Sequence, residues 1–412
     1  MASTLKLGKG NWGVKEDSLL AYSDQNNNFV PLPFDFSRAS SATVVNKAGL
    51  VESVTSGLPR IDFSDDTNGA LLLEPQSTNL ITYSSDYSNG WGYFDASTNA
   101  NALISPSGVL DASKFIEGSG SSIKRIINLS QSIVSGNDYT FSIFAKKGER
   151  DFITLTNNTG TADVTTTFDL TNGTVTSGIG SISSFANGWF KCSRRFTATA
   201  TVTSAYIAQA FVNNGSGISY QGDGASGIYI WGAMLEEQSY ATSYIPTAGA
   251  TATRVQEICV GAGNASTFNS TEGVLYAEIA ALADDGTNRL ITLSKSSDWS
   301  NRTFLRYDPS VNLITYRYLV NGSIKVNLVH TLSDATILNK IACKWELNNF
   351  KLYVNGLNVG QDISGSVMGA NSLDTLKFNS GLNAQPFYGK TKDLKVYPTA
   401  LSDAELATLT TI

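Results

Sequence analysis

"GIYIWGAML", residues 227–235, is apolar at both parities: Ile228 and Ile230 alternate with Tyr229 and Trp231. A strand with one wet face would alternate apolar with polar, so this stretch reads as a strand covered on both faces. It is followed by "ATSYIPTAGATATR" (241–254), a run of small residues, threonines and tyrosine with no histidine, cysteine or carboxylate. Pro246 favours an extended backbone at Ile245, and small residues are cheap to order along a surface. The segment reads as an exit linker between two β-domains.

Upstream, turn signals recur every 8 to 12 residues from about 86 to 245, the spacing of a sandwich. "DYTFSIFAKKGE" (138–149), "DFITLTNNTG" (151–160), "VTTTFDLTNGTV" (164–175, turning at Asn172 and Gly173), "GWFKCSRRFTATA" (188–200) and "SAYIAQAFV" (204–212) are strand candidates. Downstream, nine more follow from 273 to 397: "GVLYAEIAAL", "RLITLSK", "TFLRYD", "NLITYRYLV", "SIKVNLVH", "NKIACKWEL", "FKLYVNGLNVG", "TLKFNS" and "KDLKVY". Asn355 and Gly356 suit a two-residue hairpin turn with positive φ. Asn321 and Gly322 suit the same turn, but the apolar faces on either side match poorly across it, leaving that register open. The one convincing helix is "LSDAELATL" (401–409), where Ser402 and Glu405 form a capping box and Leu401 and Leu406 a hydrophobic staple.

Residues 1 to about 85 are the least regular. Pro31, Pro33 and the asparagines at 26–28 limit helix and central strand alike, and predict an extended arm or small β-ribbon ordered by contact with something else. The expected fold is therefore all-β: two tandem β-sandwich (jelly-roll) domains behind an extended N-terminal segment, with one short C-terminal helix. The expected boundaries are 1–75, 76–254 and 255–412.

The 412-residue chain is 42% hydrophobic but only 16% charged, so hydroxyls and amides cover its surface, as in β-rich extracellular or particle-borne domains. A net charge of −6 without a broad basic track argues against nucleic acid as partner. The N-terminal stretch lacks a signal-peptide core, and no window approaches a membrane span of about 20 apolar residues. Cys192, Cys259 and Cys343 are too few and too scattered for a disulfide framework or zinc site, and read as buried thiols of a protein made in a reducing cytoplasm.

Catalytic signatures are sparse. His330 is the sole histidine and reads as a packed or edge residue, since a general base needs an oriented partner and a nucleophile. The pairs Asp65 and Asp66, Glu236 and Glu237, and Asp284 and Asp285 read as solvated turn carboxylates rather than a glycosidase pair. "ADDGTN" (283–288) is read as an Asp-Gly turn, with structural calcium the alternative; no cofactor is expected. Trp91, Tyr93, Tyr220 and Trp299 sit in Gly/Asn/Ser-rich loops. A ring beside amides is how a sugar site is built; the plainer reading is that each ring plugs a loop base.

"FDFSRASSATVVNKAGLVE", "LPRIDFSD", "GALLLEPQSTNLITYSSDYS" and "IWGAMLEEQSYATSYIPTAGATATR" together resemble a class of bacteriophage virion proteins in which such a block leads into a carbohydrate-module-like jelly roll. Arg38, Ala39, Gly49, Pro59 to Phe63, Leu72 to Leu80, Gly232, Ala233, Leu235, Glu236 and Thr242 to Arg254 carry the match, which spans about 34–255. The final 140 or so residues, with "FKLYVNGLNVG" and "FYGKTKDLKVYPTALSDAEL", resemble a concanavalin/laminin-G-type jelly roll. The resemblance implies a structural protein of the virion, a head (capsid) fibre, homotrimeric and without enzyme activity. Its N-terminal arm would dock on capsid or tail proteins through Trp12, Phe29, Phe34 and Phe36, and its β-domains would bind host or mucosal glycans. A tail fibre or collar component, or a virion-borne polysaccharide depolymerase, is the alternative.

Overall fold

Short strands paired antiparallel dominate the regular structure of the computed structural model, which describes residues 2–25, 29–129, 131–157, 165–205, 208–296, 298–381 and 384–412. The asparagines 26–28, the end of "DFITLTNNTG" and the centre of "SAYIAQAFV" lie outside the described residues. The strands form two compact units. One comprises Met1–Ser41, Val54–Pro75 and Val255–Ile412; the other comprises Ala42–Ser53 and Gln76–Arg254.

In the unit containing Gln76–Arg254, two six-stranded sheets enclose a core that includes Phe115, Phe141, Ile143, Ile153, Leu155, Phe168, Ile228 and Ile230. The strand Gly227–Glu236 lies inside one sheet, between Leu110–Glu117 and Asp138–Lys147. It is buried on both faces, as its composition predicts. The second face packs Trp231 and Met234 with Phe144, Trp189, Tyr244, Ile245 and Val51. Gly232, at φ +62°, breaks the alternation between the two faces; a Cβ there would meet the Phe144 and Tyr244 rings at 3.0 and 3.2 Å.

The segment 241–254 is therefore more than a linker. Tyr244 and Ile245 seal this second core, and burying a side chain such as Ile245 stabilises by about 1.5–3 kcal/mol. Polar bonds hold the segment in register. Asn79 Nδ2 donates to Ile245 O at 2.9 Å, Tyr244 Oη pairs with Ser84 Oγ at 2.7 Å, and Thr247 Oγ1 donates to Ile81 O at 2.7 Å. Buried Glu236 accepts from Ser77 Oγ and Thr242 N. This corrects its reading as a solvated turn carboxylate.

The other unit contains the largest departure from expectation. Residues 1–75 are not an extended arm. Leu5–Gly8 pairs with Gly389–Tyr397, and Ala70–Leu73 pairs with the same strand further along. Ser18–Ser23 pairs with Val30–Ser37, which in turn pairs with Ile258–Ala262. The N-terminal strands thus extend both sheets of the downstream sandwich. The prolines are tolerated because Val30–Ser37 has strand partners on both sides only at Asp35; Pro31 and Pro33 lie where pairing is shown with one neighbour. "VPLPFDFS" also alternates strictly, burying Leu32, Phe34 and Phe36 and exposing Pro31, Pro33 and Asp35.

Front and back sheets of this unit share one core. The back sheet runs Leu357–Asp362, Phe350–Val354, Asn339–Trp345, Gly273–Ala281, Gly389–Tyr397. The front sheet runs Ser323–Thr331, Leu313–Val320, Arg302–Tyr307, Arg289–Ser294, Thr375–Lys377, Ile258–Ala262 and on into the N-terminal strands. Asn355 and Gly356 form the expected two-residue turn, with φ of +50° and +88°. Asn321 and Gly322 do so too, and a bulge between Tyr318 and Leu319 reconciles the mismatched faces. The helix Asp403–Thr410 starts with the expected capping box, with Leu401 and Leu406 buried beneath it.

Candidate functional site

The eight residues expected to dock or bind have separate fates. Phe34 and Phe36 are core residues, so they offer no surface to a capsid. Trp12 packs against the same core and donates its indole N–H to Asn68 O at 2.7 Å. Phe29 is 62% exposed and leans on Tyr22 at 4.8 Å between centroids. Trp91 is buried in the core of the other unit and donates to Tyr83 O. Burial thus corrects Phe34, Phe36 and Trp91, while Trp12 is half-buried and Phe29 open to solvent.

Tyr93 is 39% exposed, but its hydroxyl is engaged by Tyr87 O and Thr98 Oγ1. Tyr220 is a structural post. Its hydroxyl donates to Glu117 at 2.5 Å, and Lys124 Nζ and the Arg150 guanidinium lie 5.3 and 5.6 Å from its ring. Glu117, buried, also accepts from Arg150 Nε at 2.7 Å, Arg150 Nη2 at 2.6 Å and Asp223 N at 3.0 Å. Burial alone would raise the Glu117 pKa, but these donors hold it below the ordinary glutamate range. Lys124 is equally spent, on Asp95 and the carbonyls of Gly120 and Ser122.

Trp299 differs from the rest. It stands half-buried in the turn between Arg289–Ser294 and Arg302–Tyr307, at the rim of the front sheet. The Arg302 guanidinium carbon lies 3.7 Å from the centre of its ring, a distance possible only over the ring face. Arg302 Nη1 donates to Trp299 O at 2.6 Å, locking the pair. Gly381 makes room for the indole: a Cβ there would come within 2.6 Å of it. The turn itself is held by Asp298, which accepts from Ser300 N, Ser300 Oγ and Asn301 Nδ2; these bonds lower its pKa.

Alternation along Arg302–Tyr307 sends Leu305 and Tyr307 into the main core and Arg302, Phe304 and Arg306 to the opposite face. Pairing places Arg317 opposite Phe304, so a third arginine shares this face. Arg302 and Arg306 lie 6.0 and 5.9 Å from the Phe304 ring. Arg306 pairs with Asp308, whereas Arg317 Nε donates to the neutral amide of Asn327. The sequence signal for this face was available in "NRTFLRY" and "ITYRYLV", where arginines alternate with core residues. It was missed because isolated arginines on strands are ordinarily solvated decoration.

The carboxylate pairs are also placed. Asp65 and Asp66 meet Lys390 and Lys392, Asp284 accepts from Asn312 N, and Asp285 is spent on Thr287 N and Arg289. His330 sits half-buried on the edge strand Ser323–Thr331, and burial lowers its pKa. All three cysteines are buried, and burial raises their pKa values. No group of three or more His, Cys, Asp or Glu among the described residues could hold a metal ion. No described helix is long and apolar enough to cross a membrane.

No family model matches the chain, and no curated protein matches it. Similar solved structures include a carbohydrate-binding module (CBM40) of the Ruminococcus gnavus IT-sialidase bound to α2,3-sialyllactose, at 17% identity and a TM-score of 0.31, over 37% of this chain and 93% of that one. They also include the leech intramolecular trans-sialidase, at 20% identity and 0.30 over 35% and 24% of the two chains. Domains LG4-5 of the mouse laminin α1 chain align at 10% identity and 0.26, over 69% and 88%. At these scores the likenesses add nothing to the β-sandwich architecture established by strand pairing.

Proposed function

We propose that this protein is a non-catalytic attachment protein of a bacteriophage virion, which binds glycans through the front face of the unit that carries Trp299. The observation that carries the glycan reading is the stack of Trp299 on Arg302. It offers a flat surface of ring and guanidinium beside hydrogen-bonding amides such as Asn301 and Asn327, all mounted on a sheet. Rigid placement limits the ordering entropy a weak ligand must offset, and many copies on one particle multiply a weak affinity.

The virion assignment rests on the sequence block from 34 to 255 and its resemblance to phage virion proteins. In this reading the chain is a homo-oligomer on the head, made in the host cytoplasm and exposed on the particle. With Phe34 and Phe36 in the core, docking on the capsid falls to other surface, of which Phe29 is one part. A tail or collar position is separated from a head position by imaging the particle.

A glycan array probed with the purified full chain tests the binding role. The expected result is retention on a defined set of glycans that Trp299→Ala abolishes while the thermal unfolding midpoint stays near that of the wild type. Absence of retention at high glycan density, or retention that Trp299→Ala leaves intact, overturns it.

A further inference from the structure

The front face holds more positive charge than it neutralises. Resting on the glycan reading above, we infer that its ligand is an acidic saccharide whose carboxylate or sulfate is received by Arg302 and Arg317.

Three observations converge on this. The first is charge. Of the three arginines on this face, Arg306 alone has a carboxylate partner among the described residues; that partner, Asp308, also accepts from Thr315 Oγ1. Arg302 bonds a carbonyl and Arg317 an amide oxygen, both neutral acceptors. The nearby Asp298 and Asp374 are engaged by Ser300 and Asn301 and by Ser296 respectively.

The second is unmet hydrogen-bonding capacity. Nε of Arg302, Nε of Arg306 and Oγ1 of Thr292 are buried without a hydrogen-bond partner. Thr292 pairs with Phe304 across the strands, placing its hydroxyl on this same face. Buried donors are ordinarily satisfied, so this face carries hydrogen-bonding capacity that the described residues do not use.

The third is preorganisation. The Trp299 ring fixes the plane of the Arg302 guanidinium, and Asn327 fixes Arg317. Burial, with the nearby charge of Arg317, pulls the Arg302 pKa down to about 10, so the guanidinium stays charged at neutral pH and the two cations oppose each other. An anion between them relieves that opposition. The planar fork of arginine matches carboxylate and sulfate oxygens. The patch is local on a chain of net charge −6, whereas a nucleic-acid backbone requires a longer cationic track.

The test is an array of acidic microbial oligosaccharides, each printed beside its carboxyl-reduced or desulfated counterpart, followed by calorimetry on the hits with the full chain. The expected result is at least about tenfold tighter binding of an acidic form than of its neutral counterpart. Arg302→Gln and Arg317→Gln should each remove about tenfold, and Arg302→Lys less. Loss confined to carboxyl reduction identifies a uronate-type ligand; loss confined to desulfation identifies a sulfate ester. Equal binding of acidic and neutral forms, unchanged acid binding by both Gln variants, or equal binding of a single-stranded oligonucleotide overturns the inference. Neutral glycans bound through Trp299 without acid preference would leave the glycan reading standing and remove this one. No saccharide bound at all removes both. Should Arg302→Gln unfold the chain, Arg317→Gln, half-buried and outside the core, carries the comparison.

Discussion

Single residues tie the sequence block from 34 to 255 to the downstream strands. Arg38, Arg60 and Glu74 lie within it and converge on Glu257 in a fully buried ionic network. Arg38 Nη1 meets Glu257 Oε1 at 2.8 Å, while Arg60 Nη2 meets Glu257 Oε2 at 2.6 Å and Glu74 Oε2 at 2.8 Å. Burial alone would lower the Arg60 pKa, but Glu257 and Glu74 raise it above its ordinary value. Removing one member would strand a buried charge, which is costly, so such residues are held together as a set. Arg38, Arg60 and Glu74 thus build architecture. Glu117 permits a pH prediction at this scale. Its folded-state pKa is depressed, so its contribution is present above the ordinary glutamate pKa and is lost as pH falls through the lower folded value. Glu117→Gln is expected to cost about 2 kcal/mol at pH 7 in urea unfolding, with the difference from wild type shrinking as pH approaches the depressed pKa. A difference that stays constant down to pH 3 would contradict the assignment.

At the scale of elements, local signals were legible and partners were not. The helix Asp403–Thr410, the turn at Asn355 and Gly356 and the doubly buried strand Gly227–Glu236 follow from spacing and turn chemistry within a few residues, whereas the register at Asn321 and Gly322 needed the bulge beside Leu319. The segment 241–254 and the strand Val30–Ser37 were misread because their partners lie far along the chain: Tyr244 meets Phe144 and Trp231, and Phe36 pairs with Cys259. Proline content argued against a strand, while the alternation of Leu32, Phe34 and Phe36 argued for one, and alternation prevailed. Of the candidate site, Trp299 was legible as a ring in a polar turn. Arg302 and Arg317 were not, since only strand pairing brings them to one face. One consequence is testable. Deleting residues 1–37 strips strands from both sheets of the unit, so the product should lack a cooperative thermal transition for that unit and aggregate. A soluble truncated chain with the full-length calorimetric profile would instead favour a separable arm.

As a whole, the molecule consists of two β-sandwich units from an interleaved chain, which enters the second unit at Ala42 and again at Gln76. Ion pairs recur in both units, while Arg302 and Arg317 on the front face around Trp299 bond neutral acceptors. In the proposed function this scaffold grips polysaccharide without cutting it. The most direct measurement incubates the full chain with purified capsular or mucosal polysaccharide that it retains, and follows bound protein and polysaccharide chain length in the same sample. Retention that depends on Arg302, at constant chain length and with no new reducing ends, is the predicted result. Progressive shortening of the polysaccharide would contradict it.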